Sequence, residues 1–190
     1  MKISSGALCI GFIGLSTAAL WATLISCAEA AGGGTSRVDD EHHAGTVAWA
    51  VASALFRAAP NSGGSSTWNG AVIKGYTSGT ATTNGSFTYS YDSYSGYKEE
   101  TYSNVVVVLS DFADIDTDPR VSGTVTLGGT CTTTYGYTTS YGGYWYSPQS
   151  QITLGGPYTG KVSVELFWQR AGLDFGAVVI ADGTEYDLAY

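Results

Sequence analysis

Turn-forming residues recur at short intervals after residue 70, and this spacing constrains the fold more than any other feature of the sequence. Between the turns, stretches such as Phe87–Tyr91 and Val162–Leu166 alternate between apolar and polar residues, as strands with one buried face do. About nine short strands at hairpin spacing predict an antiparallel meander. The turn signals are Asn84-Gly85, Ser95-Gly96, Asp118-Pro119, Gly128-Gly129, Gly142-Gly143, Gly155-Gly156-Pro157 and Asp182-Gly183.

One helix is predicted before the strands, over Ala44–Ala59. Asp39 or Asp40 suits the N-cap, and Pro60 ends the helix. Apolar residues cover nearly all of its sides, so it should be buried nearly all round. The predicted fold is therefore mainly β, an antiparallel meander sheet curled around one N-terminal buried α-helix, an open-barrel-like α+β arrangement. The continuous apolar run Val105–Leu109 predicts a central strand buried on both faces.

Two segments form a weak internal repeat at an offset of 44 residues, Ser78–Tyr91 and Ser122–Tyr135. The repeat places Cys131 at the position of Phe87. We therefore expect Cys131 to point inward as a small hydrophobic residue, and we do not expect a nucleophile there.

The N-terminal segment has the pattern of an export signal. Lys2 provides a basic start, Leu8–Ile25 is almost wholly apolar, and Leu24-Ile25-Ser26-Cys27 follows at its end. This tetrad resembles the lipobox of bacterial lipoproteins, in which a branched apolar residue stands three places before the cysteine and a small residue directly before it. The resemblance implies transfer of a diacylglycerol to the thiol of Cys27 and cleavage before that residue.

The resemblance divides the chain into a signal peptide (1–26), a lipidated N-terminus with a flexible tether (27–38) and one β-rich domain (39–190). It implies a lipid-anchored protein of the bacterial cell envelope, on the periplasmic face or the surface of the outer membrane. Ala28, where inner-membrane lipoproteins carry aspartate, fits outer-membrane sorting. Two alternatives stay open: cleavage at Ala28-Glu29-Ala30 would release a soluble protein, and an uncleaved Leu8–Ile25 is long enough to span a bilayer.

The charge of the chain argues against nucleic acid as a partner. The formal net charge is −8, and no basic patch is present that could bind phosphates. The expected partners are the membrane, through the lipid anchor, and an envelope protein, a lipid or a glycan as ligand. No cofactor is expected.

No arrangement of residues predicts catalysis. The two histidines, His42 and His43, are adjacent at the start of the helix. Glu99 and Glu100 should point to opposite faces of a strand, and Glu165 stands alone, so no pair of carboxylates for glycoside hydrolysis is visible. We predict no catalytic residue and no enzymatic activity.

The alternating carboxylates Asp114, Asp116 and Asp118 are weak candidates for calcium binding. Pro119 stands where a calcium loop needs glycine, and Val125 where its bidentate glutamate belongs. An acidic turn that protects a sheet edge is the preferred interpretation, and no metal is predicted.

Tyrosine is abundant in both repeats, and it combines a large apolar ring with one hydroxyl group, which suits recognition surfaces. Strand preference alone also explains much of this abundance. Three functions follow, in order: a non-enzymatic envelope binding or structural module, a surface adhesin or carbohydrate-binding module, and a small secreted hydrolase. The candidate binding residues are Tyr135, Tyr137, Tyr141, Tyr144, Trp145 and Tyr146.

Overall fold

The computed structural model describes residues 37–61, 63–116, 118–169 and 174–189. The predicted signal peptide, Cys27 and the tether up to residue 36 lie outside the described residues. One helix precedes a sheet of eight strands, in which each strand pairs antiparallel with its neighbours along the chain. The elements are α1 (Glu41–Ala58), β1 (Ser66–Lys74), β2 (Ser78–Asp92), β3 (Tyr97–Ala113), β4 (Arg120–Thr134), β5 (Ser140–Gly155), β6 (Gly160–Gln169), β7 (Asp174–Ala181) and β8 (Thr184–Ala189).

The predicted antiparallel meander is confirmed, but its strands are fewer and longer than expected. Strand β3 has 17 residues and β5 has 16. The turns predicted at Asn84-Gly85, Gly128-Gly129 and Gly142-Gly143 lie instead inside β2, β4 and β5. Gly85 and Gly128 each face an extra residue on β3, so the strands continue past these glycines through a bulge and do not reverse.

The helix is buried as its all-round apolar pattern predicts. Asp40 is the N-cap, and its carboxylate accepts a hydrogen bond of 2.7 Å from the His43 amide. Val47, Val51 and Leu55 are fully buried. The helix packs against β2, β3, β4, β6, β7 and β8, so the sheet curls around it. In the part of the chain that the structure describes, no helix is long and apolar enough to cross a bilayer.

A line of bulges crosses the sheet at one level from β1 to β6. The register shifts between neighbouring strands at each of the five pairs along this line. Four residues on it have positive φ: Gly70 (+67°), Gly85 (+124°), Asn104 (+51°) and Gly129 (+107°). Because bulges bend the strand that carries them, we call this line the crease.

Strand β3 shows that the sheet has one buried face. Val105 and Val107 point inward and are fully buried, whereas Val108 points outward and is 45% exposed. The prediction of a strand buried on both faces is therefore wrong, because the helix covers only the inner face of this antiparallel sheet. Exposed valines leave an apolar outer surface at the centre of the sheet.

The two repeat segments form the even-numbered strands β2 and β4. Phe87 and Cys131 occupy equivalent inward positions, and both are buried, with Cys131 2% exposed. The expectation that Cys131 packs inward is confirmed. Gly85 and Gly129, also 44 residues apart, lie at equivalent places in the two strands, next to the register shifts with β3.

Candidate functional site

Two hairpins extend beyond the rest of the sheet on the far side of the crease. Ser66, the first residue of β1, pairs with Phe87, so the rest of β2 pairs with β3 alone. The β2–β3 and β4–β5 hairpins lie side by side, and the Tyr135 amide donates a 2.9 Å hydrogen bond to the Gly96 carbonyl. We call residues 88–101 and 130–143 the arm.

The inner face of the arm carries a row of four side chains, one from each strand. Tyr91 pairs with Lys98, Lys98 with Thr133, and Thr133 with Tyr141. Directly paired residues share a face, so the two tyrosines flank the lysine and the threonine. Both tyrosines are exposed, while Thr133 is buried between the strands.

Exposed tyrosines gather at the ends of these hairpins. Tyr94 and Tyr137, in the two turns, are fully exposed, and Tyr135 is half exposed. Together with the two tyrosines of the row they form a surface that we call the tyrosine end. Its members are Tyr91, Tyr94, Tyr135, Tyr137 and Tyr141.

An open groove of about 670 Å³ lies on the outer face, where the crease crosses β3, β4 and β5. Gly128 and Gly129 form its floor, because they place no side chain there. Tyr144 and Tyr146 line it from β5, and Val106 lines it from β3. We call this feature the outer groove. Its remaining lining residues are Asn104, Val105, Thr126, Leu127, Thr130, Gly143 and Pro148.

The predicted binding residues therefore fall on two surfaces and in the core. Tyr135, Tyr137 and Tyr141 belong to the tyrosine end, and Tyr144 and Tyr146 belong to the outer groove. Trp145, predicted with them, lies instead in the core, 3% exposed. Successive residues of a strand face opposite sides, so Trp145 points inward between two outward tyrosines. Its indole N–H donates to the Glu100 carbonyl at 3.2 Å.

The hydroxyl of Tyr146 is held by a carboxylate at the edge of the outer groove. It donates a 3.0 Å hydrogen bond to Oε1 of Glu165. Desolvation, together with this hydrogen bond, raises the pKa of the Tyr146 phenol above its ordinary value. The phenol therefore stays neutral and can donate this hydrogen bond.

The β4–β5 hairpin, which carries Tyr135, Tyr137, Tyr141, Tyr144 and Tyr146, is uncharged over a long stretch. No Asp, Glu, Lys, Arg or His occurs between Arg120 and Lys161. The polar groups available from this stretch are therefore hydroxyls, side-chain amides and the backbone. The stretch is visible in the sequence, and it is the signal that distinguishes the β4–β5 hairpin from an ordinary amphipathic hairpin.

A buried carboxylate anchors the base of the arm to the end of the helix. Glu100 is 1% exposed, and its Oε2 lies 2.8 Å from Nζ of Lys98. Its Oε1 accepts a hydrogen bond from the Asn61 amide, just after α1. The Tyr102 hydroxyl also reaches this segment and donates to the Ala59 carbonyl at 2.9 Å. Burial, with the nearby Glu100 charge, raises the pKa of Tyr102 strongly.

The carboxylates considered for catalysis or calcium binding make separate contacts and do not form one site. Glu99 points outward and accepts a 3.0 Å hydrogen bond from Tyr97, while Glu100 points inward, as predicted for neighbours on a strand. Asp114 forms an ion pair with Arg57 and accepts the Tyr76 amide at 3.0 Å. Within residues 37–61, 63–116, 118–169 and 174–189, only one group of three residues brings possible metal-ligand atoms within 4.8 Å of one another. It consists of Asp39, Asp40 and His43, at the exposed start of α1.

Comparison with known proteins gives no match: no protein-family model, no curated protein and no solved structure resembles this chain.

Proposed function

We propose that this chain is a lipid-anchored protein of the bacterial envelope whose domain binds a ligand without chemical conversion. The lipobox at Leu24–Cys27 supports the anchor. Acyl chains on the thiol of Cys27 contribute roughly 0.8 kcal/mol per buried methylene, and two or more chains hold a protein stably in a membrane.

The observation that carries the binding function is the position of the tyrosines relative to the start of the domain. Arg37, the first described residue, lies 3.8 Å from Asp182 in the β7–β8 turn. In a meander, this turn lies at the opposite end of the strands from the β2–β3 and β4–β5 turns. Strand β3 alone spans roughly 55 Å. A domain tethered through Arg37 can therefore present the tyrosine end away from the membrane.

Tyrosine suits such a surface because it offers contact area and one hydroxyl group at low entropic cost. Tyr94 and Tyr137 have no core to fill, so packing does not explain their place in the turns. A carbohydrate-binding adhesin is the second candidate, and the uncharged stretch between Arg120 and Lys161 favours it.

The anchor is tested by the intact mass of the full-length protein extracted from membranes. We expect a mature chain that begins at Cys27 and carries acyl mass, and we expect Cys27→Ala to lose both the acyl mass and the cleavage before residue 27. A wild-type chain in the aqueous fraction with an unmodified N-terminus would contradict the anchor. Protease treatment of intact cells then reports the membrane face.

The binding surface is tested by hydrogen–deuterium exchange with purified envelope glycans, envelope proteins and lipid vesicles as separate probes. We expect one probe class to protect the tyrosine end, over residues 91–97 and 133–141. The double variant Tyr94→Ser/Tyr137→Ser should lose this protection. Tyr76→Ser, an equally exposed tyrosine in the β1–β2 turn at the opposite end, should keep it. Absence of protection with all three probes would contradict the proposed function.

A further inference from the structure

We propose that the outer groove is a binding site for an uncharged saccharide. The inference goes beyond the proposed function, because it names a ligand class for a second surface, on the opposite face of the sheet from the row at the tyrosine end. It is carried by the shape, the side chains and the charge of the groove.

The shape comes from missing side chains at the crease. The volume of about 670 Å³ is within the range of small-ligand sites. Gly128 pairs with Tyr146, and a Cβ added at Gly128 would have no heavy atom nearer than 3.9 Å. The floor is therefore open backbone, bordered on the β5 side by Tyr144 and Tyr146, and a ligand can approach the strand closely.

The side chains of the groove match the two kinds of surface on a sugar ring. Tyr144 and Tyr146 present apolar ring faces that can pack against the C–H face of a pyranose. Asn104 and Thr126 offer an amide and a hydroxyl group for the equatorial hydroxyls. The hydrogen bond to Glu165 restrains the Tyr146 ring, so less of its side-chain freedom is lost on binding.

The absence of charged residues from the groove lining favours a neutral ligand among those that carry both apolar and polar groups. No lining residue is charged, so no cation is present to pair with a phosphate, a sulfate or a uronic acid. Glu165, next to Tyr146, would repel an anion further. A neutral oligosaccharide requires no charge pairing, and for this reason it fits better than an acidic glycan, a nucleotide or a phospholipid head group.

The test is titration of the lipidated or the Cys27→Ala full chain with neutral oligosaccharides of glucose, mannose, galactose and N-acetylglucosamine, at up to millimolar concentration. Tyrosine ring resonances report the site. We expect shifts at Tyr144 and Tyr146 that saturate, and an affinity that does not depend on salt, since no ion pair forms. Polygalacturonate and polylysine are the charged probes.

Two substitutions locate the ligand. Gly128→Leu places a side chain on the groove floor without a backbone clash, and it should abolish binding while the protein stays folded by circular dichroism. Thr124→Leu adds similar bulk on the same strand outside the groove, and it should bind as the wild type does. Tyr144→Ala should weaken binding about fivefold to tenfold through loss of one ring contact.

The outcomes separate this inference from the proposed function. If no neutral oligosaccharide shifts Tyr144 and Tyr146, or if Gly128→Leu binds as well as the wild type, the saccharide site is wrong. Salt-sensitive binding of a charged probe in the groove would also overturn it. In each case the proposed function stands if a probe still protects the tyrosine end, and it falls only if that protection is absent as well.

Discussion

The guanidinium group of Arg57 lies 3.6 Å from the centroid of the Tyr76 ring. On α1 this arginine also pairs with Asp114 and donates a 2.8 Å hydrogen bond to the Lys74 carbonyl. Lys74 and Tyr76 belong to the end of β1 and the β1–β2 turn, and Asp114 follows β3. One side chain therefore fastens the last turn of the helix to two turns of the sheet, at the end opposite the tyrosine end.

Arg57→Ala should lower the free energy of unfolding by about 2–3 kcal/mol, because it leaves Asp114 without its cation in a largely buried position. Urea denaturation measures the change. Arg120→Ala is the matched control, since its ion pair with Asp111 is half exposed and such pairs contribute less than about 1 kcal/mol. Equal losses in the two variants would show that the Arg57 contacts are no stronger than a surface pair.

The helix variants test whether α1 is the centre of the core. Leu55 is fully buried, so Leu55→Ala should cost about 2–5 kcal/mol through lost contacts and a cavity. Val51→Asp should prevent folding, because a buried unpaired carboxylate costs several kcal/mol. The half-buried Ser53→Ala should change stability by less than about 0.5 kcal/mol. Thermal melting compares the three, and an unaffected Val51→Asp protein would place the helix outside the core.

The sequence predicts the helix and the meander because both depend on local periodicity. The alternation in Val162–Leu166 and the continuous apolar cover of Ala44–Ala59 report burial directly. The Val105–Leu109 run wrongly predicts burial on both faces, because the branched side chain of valine is also favoured on the outer face of a strand. Trp145 is mispredicted in the opposite sense, as an exposed binding residue, although it is buried. The face to which it points depends on the register of β5 against its neighbours, and only strand pairing fixes that register.

The crease and the outer groove could not be predicted in the same way. A glycine pair between apolar runs is a turn signal, and Gly128-Gly129 differs from a true turn only in how far the flanking strands continue. The groove also requires Val106, which is distant in the sequence from Tyr144. Such a site depends on long-range pairing and has no local pattern.

Cys131 should react slowly with a thiol reagent in the folded protein. It is 2% exposed on the inner face, so reaction needs local or global opening. In the Cys27→Ala chain without its signal peptide, Cys131 is the one remaining cysteine of the sequence, and the absorbance change of Ellman's reagent reports it alone. We expect the rate to rise by orders of magnitude in denaturing urea. A fast reaction in the native state would indicate that the arm opens at its base.

Asp118→Asn should stabilise the protein at neutral pH but not in acid. Desolvation raises the pKa of Asp118 above its ordinary value of 3.8 in the folded state. Below pH 3.8 both states hold the proton, and the group has little effect. As the pH rises through the folded pKa, the unfolded chain ionises more easily, so the wild type loses stability. The gain should be small, because part of the Asp118 side chain stays in contact with solvent. Urea midpoints at several pH values measure it, with the exposed Asp116→Asn as control; a gain that grows in acid would contradict this sign.

Two adjacent glycines on the groove floor should respond in opposite ways to the same substitution. Gly129 has a φ of +107°, and an added Cβ would lie well inside van der Waals contact with the Tyr144 carbonyl. Gly129→Ala should therefore cost about 1–3 kcal/mol, through strain and displacement of β5. Gly128→Ala meets nothing closer than 3.9 Å and restricts the unfolded chain, so it should be neutral or stabilise by up to about 1 kcal/mol. Urea denaturation of both variants measures the contrast. If they were equally destabilised, β5 would not approach Gly129 this closely, and the floor of the outer groove would have a different shape.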